Sequence, residues 1–428
     1  MTKNIIVEPS GPLTGSVLVP GSKNSSLALL AAACLADTPV TLQGIPDIYD
    51  VKIISGIGRD IGFTLMRDAV SGDVHLDPRW IHSATIDPGK ASAYRASYYY
   101  AGALLAKFGR VTIGYPGGDD FNSRPIDQHI KAFHALGAKL TMHNDYYTVE
   151  AEELRGADIY FDMLTSGATI NAMLAAVRAR GTTRLYNAAG DPEVVDTAQF
   201  LNRLGARISG AGSPVIRIEG VPYLEGGIYG VIPDRLIAGA FLMAAGINGG
   251  QVEVTGVIPE HLGSCIAKLR ETGIEIECGE ERITAYSIGS IKPVRLRTGM
   301  YPEFATDLQQ PMTALLTRAH GQSAVTDRVY PMRFNHVPQL IRLGASIQMR
   351  GDTAYIDGGR PLIGGRVHAT DVRAGTSLVL AGLAAEGITT ITDTLHMERG
   401  YADIIGAFQS IGARIRWSEE TLPSAAQA

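Results

Sequence analysis

Cysteine is scarce in this chain. Cys34, Cys265 and Cys278 are the whole complement and none stands in CxxC spacing. That excludes a disulfide framework or a zinc ribbon, and it points to a reducing compartment, the cytoplasm. Positive charge is in deficit: 38 Lys and Arg face 43 Asp and Glu, for a formal net charge of -5. No broad cationic field exists for nucleic acid or an anionic membrane, so anion specificity must come from local clusters and the partner is a small molecule. Membrane-length apolar runs are missing too. Leu27–Ala36 falls far short of the roughly 20 residues that span a bilayer and reads as a core helix rather than a signal segment. Glycine is plentiful, 49 of 428 residues against a norm of about 7%, as a turn-rich α/β protein requires. A chain of this length exceeds one ordinary core, so two domains of roughly 200 residues are expected.

One phrase recurs along the chain. A residue, a glycine and then an alternating strand appear at Ile61-Gly62, Leu136-Gly137, Leu204-Gly205, Thr272-Gly273, Leu343-Gly344 and Ile411-Gly412, about 70 residues apart. A helix-like stretch precedes each, such as Ile130–Leu136, Val195–Leu204 or Tyr401–Ile411. Helix, glycine C-cap, strand is the physical content. Each unit also carries an earlier helix that is nearly apolar all round: Ser26–Ala36, Tyr98–Lys107, Ile170–Arg178, Ala238–Gly246, Met312–Thr317 and Ser377–Ala385. A helix with no polar face is buried on every side. The expected architecture is therefore α/β, two domains of three βαβαββ repeats each, with the apolar helices at their centres. Residues 22–231 form one domain; residues 1–21 with 232–418 form the other, its first strand returning to complete it. Two chain crossings would act as a hinge, and the polar stretch 419–428 reads as a frayed tail.

The chemistry gathers just before the apolar helices. Lys23 precedes the first, Arg95 the second, Asp234 and Arg235 the fourth, Asp307 the fifth, and Asp371 with Arg373 the sixth. Asp307 and Asp371 could each be an N-cap, and Lys23 and Arg373 could each pair with a neighbouring aspartate. A helix N-terminus disfavours cations, however, so their repetition there calls for an anion. With Arg124 in PGGDDFNSRP and Arg399 in HMERGY, the cations exceed what capping explains and favour a small polyanion bound between the domains.

The segments VPGSKNSSLALLAA, YRASYYYAGALLAKFG, PGGDDFNSRPIDQHIKAFHALGA, TDLQQPMTALL and ATDVRAGTSLVLAG resemble the UDP-N-acetylglucosamine enolpyruvyl transferases of the EPSP synthase superfamily, collinearly from about residue 5 to about residue 416. The resemblance implies two inside-out α/β barrels that close over phosphoenolpyruvate and the nucleotide sugar, a mobile loop at 115–125, a monomer or weak homo-oligomer, and no metal or organic cofactor. Lys23 and Asn24 are implied to contact both substrates. Arg95 and Arg124 would hold the phosphate of phosphoenolpyruvate, and Arg373 and Arg399 its carboxylate. Asp307 would be the general base toward the sugar hydroxyl, Asp119 the general acid, and Asp371 the buried carboxylate orienting Lys23 and the arginines. On the acceptor side, Arg124-Pro125-Ile126-Asp127-Gln128-His129 match the uridine-contacting stretch and Thr165-Ser166-Gly167 the diphosphate turn, joined by Arg95, Asp307 and Val329.

The sequence also departs from that family. Its diphosphate turn usually reads Ser-Val-Gly; Met163 stands where some members carry lysine, Pro331 where some carry an acid, and Ile48-Tyr49 replace a Leu-Ser pair. Two other readings stay open on these grounds. One is a paralogue acting on another uridine nucleotide. The other is a non-catalytic nucleotide-sugar sensor, against which intact Lys23, Asp307, Arg373 and Arg399 speak. The largest departure is Asp119 itself, where the family usually has the cysteine alkylated by the epoxide fosfomycin. A carboxylic acid can donate a proton but is a far weaker nucleophile than a thiolate. Incubation with fosfomycin is therefore expected to leave both the intact mass and the activity unchanged, and a stable adduct with lost activity would refute the assignment.

Overall fold

The structure is a computed structural model that describes residues 3–118 and 124–418. Asp119, with the rest of 119–123 in the expected mobile loop, and the 419–428 tail lie outside the described residues. The chain divides into two compact units, Pro20–Ile232, and Met1–Val19 with Pro233–Ala428. Each has its own hydrophobic core.

Both units repeat one supersecondary pattern. A strand leads into a central helix, a parallel strand, an outer helix and a hairpin. In the unit formed by 20–232 the third repeat shows it fully: Asp158–Tyr160, helix Ser166–Ala176, Thr182–Tyr186, helix Pro192–Arg203, Arg207–Ser209 and Val215–Glu219. The strands lie in the order first, second, fourth, third, with one parallel pair and two antiparallel ones. Among the described residues there are six such sheets, five of four strands and one of three. In the three-stranded sheet the parallel edge shrinks to a bridge between Thr85 and Thr112. Chain order bends to complete the pattern. Ile228–Gly230 pairs with Val40–Gln43. Leu13–Leu18 pairs with Gly250–Thr255, and Ile5–Val7 inserts between Thr389–Thr392 and Ile415–Trp417.

The six central helices are α1 (Lys23–Ala32), α2 (Tyr99–Phe108), α3 (Ser166–Ala176), α4 (Arg235–Asn248), α5 (Gln309–Leu316) and α6 (Val372–Ala384). Burial is nearly complete, as their lack of a polar face demands: every residue of α5 is buried, as are Leu236–Ile247 of α4 and Val372–Leu383 of α6. Full burial of each Leu, Ile or Phe stabilises by about 1.5–3 kcal/mol, so these helices carry much of each core. Their starts differ from the sequence reading. Lys23, Arg235 and Arg373 stand within the first turn rather than before it, because N-capping by Ser22, Asp234 and Asp371 begins each helix earlier than its apolar run does.

The recurring glycines have one structural cause. Gly62, Gly137, Gly205, Gly273, Gly344 and Gly412 all adopt φ between 84° and 102°. At each, the glycine N–H and the next N–H fold back onto the outer helix, as in Gly205 N to Asn202 O (3.0 Å) and Ala206 N to Leu201 O (3.0 Å). This is the Schellman arrangement, which needs a left-handed residue at its turn. Close approach explains a different glycine. A Cβ on Gly102 of α2 would lie 2.3 Å from Asn171 Oδ1 and 2.4 Å from Asn171 O of α3. Gly102→Ala is therefore expected to force the two central helices apart and to destabilise by about 2 kcal/mol, read as a lower urea midpoint. An unchanged midpoint would show that the pair can separate freely.

Candidate active site

The unit formed by 20–232 assembles its charged groups at the starts of α1, α2 and α3. Ser22 N-caps α1 by accepting from Ser25 N (3.3 Å), which sets Lys23 on the first turn with Asn24 exposed beside it. The Lys23 ammonium is 2.6 Å from Asp50 Oδ2; the lysine side chain is 15% exposed and the aspartate 0%. Asp50 thus offsets the unfavourable meeting of a cation with a helix N-terminus. The start of α1 is further anchored from the outer helix Pro192–Arg203. Buried Asp196 there accepts hydrogen bonds from Ser25 and, at 2.6 Å, from the Tyr229 hydroxyl.

Arg95 opens the 3-10 turn that leads into α2 and lays its guanidinium over the Tyr98 ring at 5.5 Å. Arg124 reaches the same spot. A Cβ on Gly118 would lie 3.1 Å from Arg124 Nη2 and 3.1 Å from Arg95 Cβ. Two guanidinium-bearing chains flanking one glycine form a like-charged cluster suited to an anion.

Tyr98 also links the two stretches expected to hold nucleotide. Its ring meets the His129 ring edge-on at 4.6 Å, and its hydroxyl lies so close to Gly167 that a Cβ there would sit 2.5 Å away. Thr165 N-caps α3 and Ser166 Oγ donates to Asp191 Oδ2 at 2.8 Å, leaving a helix start of the kind that binds phosphate. Pro125 is exposed and Ile126 packs on the core, leading into the helix Asp127–Ala135. Gln128 is occupied inside the protein. Its amide donates to Asp127 (2.8 Å) and Asp162 (3.0 Å) and accepts from Asp162 N (3.0 Å). His129 is buried, and its pKa is pushed down to about 3, first by burial and then by the Arg95 charge, with Asp127 opposing.

In the other unit the aspartates divide. Asp371 is an N-cap, accepting from Arg373 N (2.8 Å) and Ala374 N (3.1 Å), and Asp234 caps α4 in the same way. Asp307 is not a cap; it lies in the 3-10 turn Thr306–Leu308, which follows Ala305. Its carboxylate, 26% exposed, accepts from Arg333 Nη1 at 2.5 Å and Arg373 Nε at 3.4 Å. Burial is the largest influence on both guanidiniums and disfavours their charge, but Asp307 together with Asp371 at Arg333, and with Asp234 at Arg373, outweighs it and holds their pKa values above the ordinary arginine range. Fully buried Asp327 braces the neighbourhood. It accepts from the Thr298 and Thr306 hydroxyls (2.7 Å each) and from Val329 N (3.0 Å) and Tyr330 N (2.9 Å), fixing the turn that carries Val329. Arg399 sits half-buried at the C-cap of the short helix Leu395–Glu398, where a cation is electrostatically favoured.

Sequence reasoning missed Asp50, Tyr98, Asn171, Asp327 and Arg333. A buried arginine such as Arg333 was the one with a legible hint, since RVYPMRF sets that cation between Met332 and Phe334.

Residues 7–408 match the family described as EPSP synthase (3-phosphoshikimate 1-carboxyvinyltransferase). The chain is 48% identical over 408 residues, 95% of each chain, to UDP-N-acetylglucosamine 1-carboxyvinyltransferase 2 of Geobacillus kaustophilus. It is 46% identical over 415 residues, 97% of this chain and 98% of the other, to the protein of that name in Listeria monocytogenes. Among solved structures it resembles the enolpyruvyl transferase NikO of Streptomyces tendae, with a TM-score of 0.88 at 24% identity over 98% and 99% of the two chains. It also resembles the EPSP synthase of Acinetobacter baumannii, with a TM-score of 0.70 at 20% identity over 98% and 100%.

The buried imidazoles set a pH dependence. His129 and His336 both have pKa values lowered to about 3, His336 by burial and then by Arg333. Each stays neutral when folded but takes a proton in the unfolded chain below about pH 6.5. Stability is then full above that pH and falls on acidification, by up to about 1.4 kcal/mol per pH unit for each histidine. Urea midpoints between pH 7.5 and pH 5 should fall accordingly, and His336→Gln should make that fall shallower.

Proposed function

The chain belongs to the EPSP synthase family of carboxyvinyltransferases, and from that premise we propose that it transfers the enolpyruvyl group of phosphoenolpyruvate to the 3-hydroxyl of the N-acetylglucosamine in UDP-N-acetylglucosamine, releasing phosphate for peptidoglycan precursor synthesis. The observation that carries the acceptor is identity of 46–48% along nearly the whole chain to relatives named for that substrate.

The reaction is an addition followed by an elimination. The hydroxyl oxygen attacks C2 of phosphoenolpyruvate while C3 gains a proton, giving a tetrahedral phospho-ketal. Loss of the C3 proton with the C2–O bond to phosphate restores the vinyl group as an enol ether. Asp307 is the group we assign to take the hydroxyl proton. Its carboxylate is held uncapped by Arg333 and Arg373, which supports a role other than helix capping. Asp119 is assigned as the acid toward C3. Arg95 and Arg124 are assigned to the transferring phosphate, where paired cations stabilise developing charge by several kcal/mol. Lys23 and Asn24 contact both substrates in this reading, with Arg373 and Arg399 on the carboxylate and Asp371 ordering the backbone that carries Arg373. The nucleotide falls to Arg124–His129, Thr165–Gly167 and Val329.

Among the described residues no helix is long and apolar enough to cross a membrane. The cytoplasm is the proposed location, supported by a phosphorylated metabolite and a nucleotide sugar as substrates and by the free thiols of Cys34, Cys265 and Cys278.

Phosphate release tests the reading. The protein should liberate phosphate from phosphoenolpyruvate with UDP-N-acetylglucosamine and not with UMP; release with UMP alone would replace the acceptor, and none with either would remove the enzyme. Asp307→Asn should lower kcat by about 10²–10⁴-fold, the range for a lost general base, with binding of the nucleotide sugar retained by calorimetry.

A further inference from the structure

We propose that Asn171 is a positioning residue for nucleotide binding: it locks His129 in the tautomer that carries its proton on Nε2, so that the ring offers a hydrogen-bond donor to an acceptor oxygen of the uridine diphosphate. This rests on the nucleotide-sugar reading above.

Asn171 lies on α3, 1% exposed, and both ends of its amide are engaged. Oδ1 accepts from Gly102 N at 2.8 Å. Nδ2 donates to Tyr98 O at 3.0 Å and lies 3.0 Å from His129 Nδ1. A backbone N–H is only a donor and a backbone carbonyl only an acceptor, so Gly102 and Tyr98 together fix which end of the amide is nitrogen. The reversed amide would set two donors against each other at Gly102 and two acceptors at Tyr98. Nδ2 therefore turns its second hydrogen to His129 Nδ1, which must be an unprotonated acceptor. A neutral imidazole has one proton, and it is then on Nε2.

Burial keeps the ring from taking a second proton. His129 is 5% exposed, the Arg95 charge acts with burial against protonation, and Asp127 alone acts for it. The donor is thus neutral and constant through the physiological range. The ring stands edge-on to Tyr98, whose hydroxyl lies against Gly167, next to the Thr165-Ser166-Gly167 helix start. Tyr98 thus has the imidazole against its ring and the helix start against its hydroxyl, and amide donors of a helix N-terminus together with a neutral N–H suit a diphosphate oxygen, binding it without a proton that titrates. A uracil carbonyl is the other oxygen such a donor could meet, and uridine alone separates the two.

Long-range 1H–15N spectra of the protein at pH 7.5 should show His129 as the Nε2–H tautomer, unchanged to pH 6. UDP-N-acetylglucosamine and UDP should shift its Nε2 signal, and uridine should not; a shift by uridine equal to that by UDP moves the contact to the base and overturns the diphosphate assignment. Asn171→Asp keeps the acceptor for Gly102 but has no hydrogen for Nδ1, so the imidazole proton moves to that nitrogen. KM for UDP-N-acetylglucosamine should then rise about tenfold, as for one lost hydrogen bond to a charged group, while KM for phosphoenolpyruvate changes less than about twofold. A merely structural role would raise both together. An Nδ1–H tautomer or an imidazolium in the unaltered protein overturns the inference without reference to any variant. A missing UDP-dependent shift overturns the nucleotide role, whereas a shift without phosphate release counts against the proposed reaction and leaves the tautomer assignment standing.

Discussion

A helix buried on all sides can meet polar groups only at its ends, and that constraint organises both units. The flanks of α1 to α6 are packed with Ala, Leu, Ile and Gly, so no charged side chain can emerge from their middles without an uncompensated burial cost. Lys23, Arg95, Asp234, Arg235, Asp307, Asp371 and Arg373 all cluster at helix starts for this reason. The unpaired backbone N–H groups there attract anions. Reactive and binding groups are thus concentrated where the backbone itself contributes positive potential.

The fold was legible because its signals are local. A Schellman turn needs a left-handed residue, so Gly62, Gly137 and their four counterparts announce six outer-helix ends, and the strands follow them directly. The central helices were legible from composition, though their first turns were not. Capping residues are polar, and an apolar run read alone begins late; α1 starts at Lys23 rather than Ser26. Ile5–Val7 entering the last sheet depends on pairing with Trp417 and Ile391, and no pattern within the strand names those partners.

Site residues were legible where the residue type clashed with its place. Cations at helix starts stood out; the groups that hold them did not. Asp50, Asp327, Asn171 and Arg333 act through contacts distant in sequence, and each resembles an ordinary polar residue until the chain is folded. Asp307 and Asp371 were alike in sequence, each an aspartate just ahead of an apolar run. Their separation into a capping group and an arginine-held carboxylate rests on long-range contacts: the side chains of Arg333 and Arg373 donate to Asp307, whereas Asp371 accepts from the backbone N–H groups of Arg373 and Ala374. A charged group this well paired inside a protein is also hard to replace singly, since removing one partner strands the other.

The position of the first two strands carries a consequence for biosynthesis. Ile5–Val7 and Leu13–Leu18 leave a ribosome well before their partners, which include Gly250–Thr255, Thr389–Thr392 and Ile415–Trp417. At about 5–20 residues per second, Ile5 waits on the order of 20–80 s for Trp417 to be translated. Meanwhile residues 20–232 hold a complete set of internal pairings of their own. The nascent chain therefore carries two β-prone segments without their mates through most of its synthesis, a natural point of engagement for chaperones.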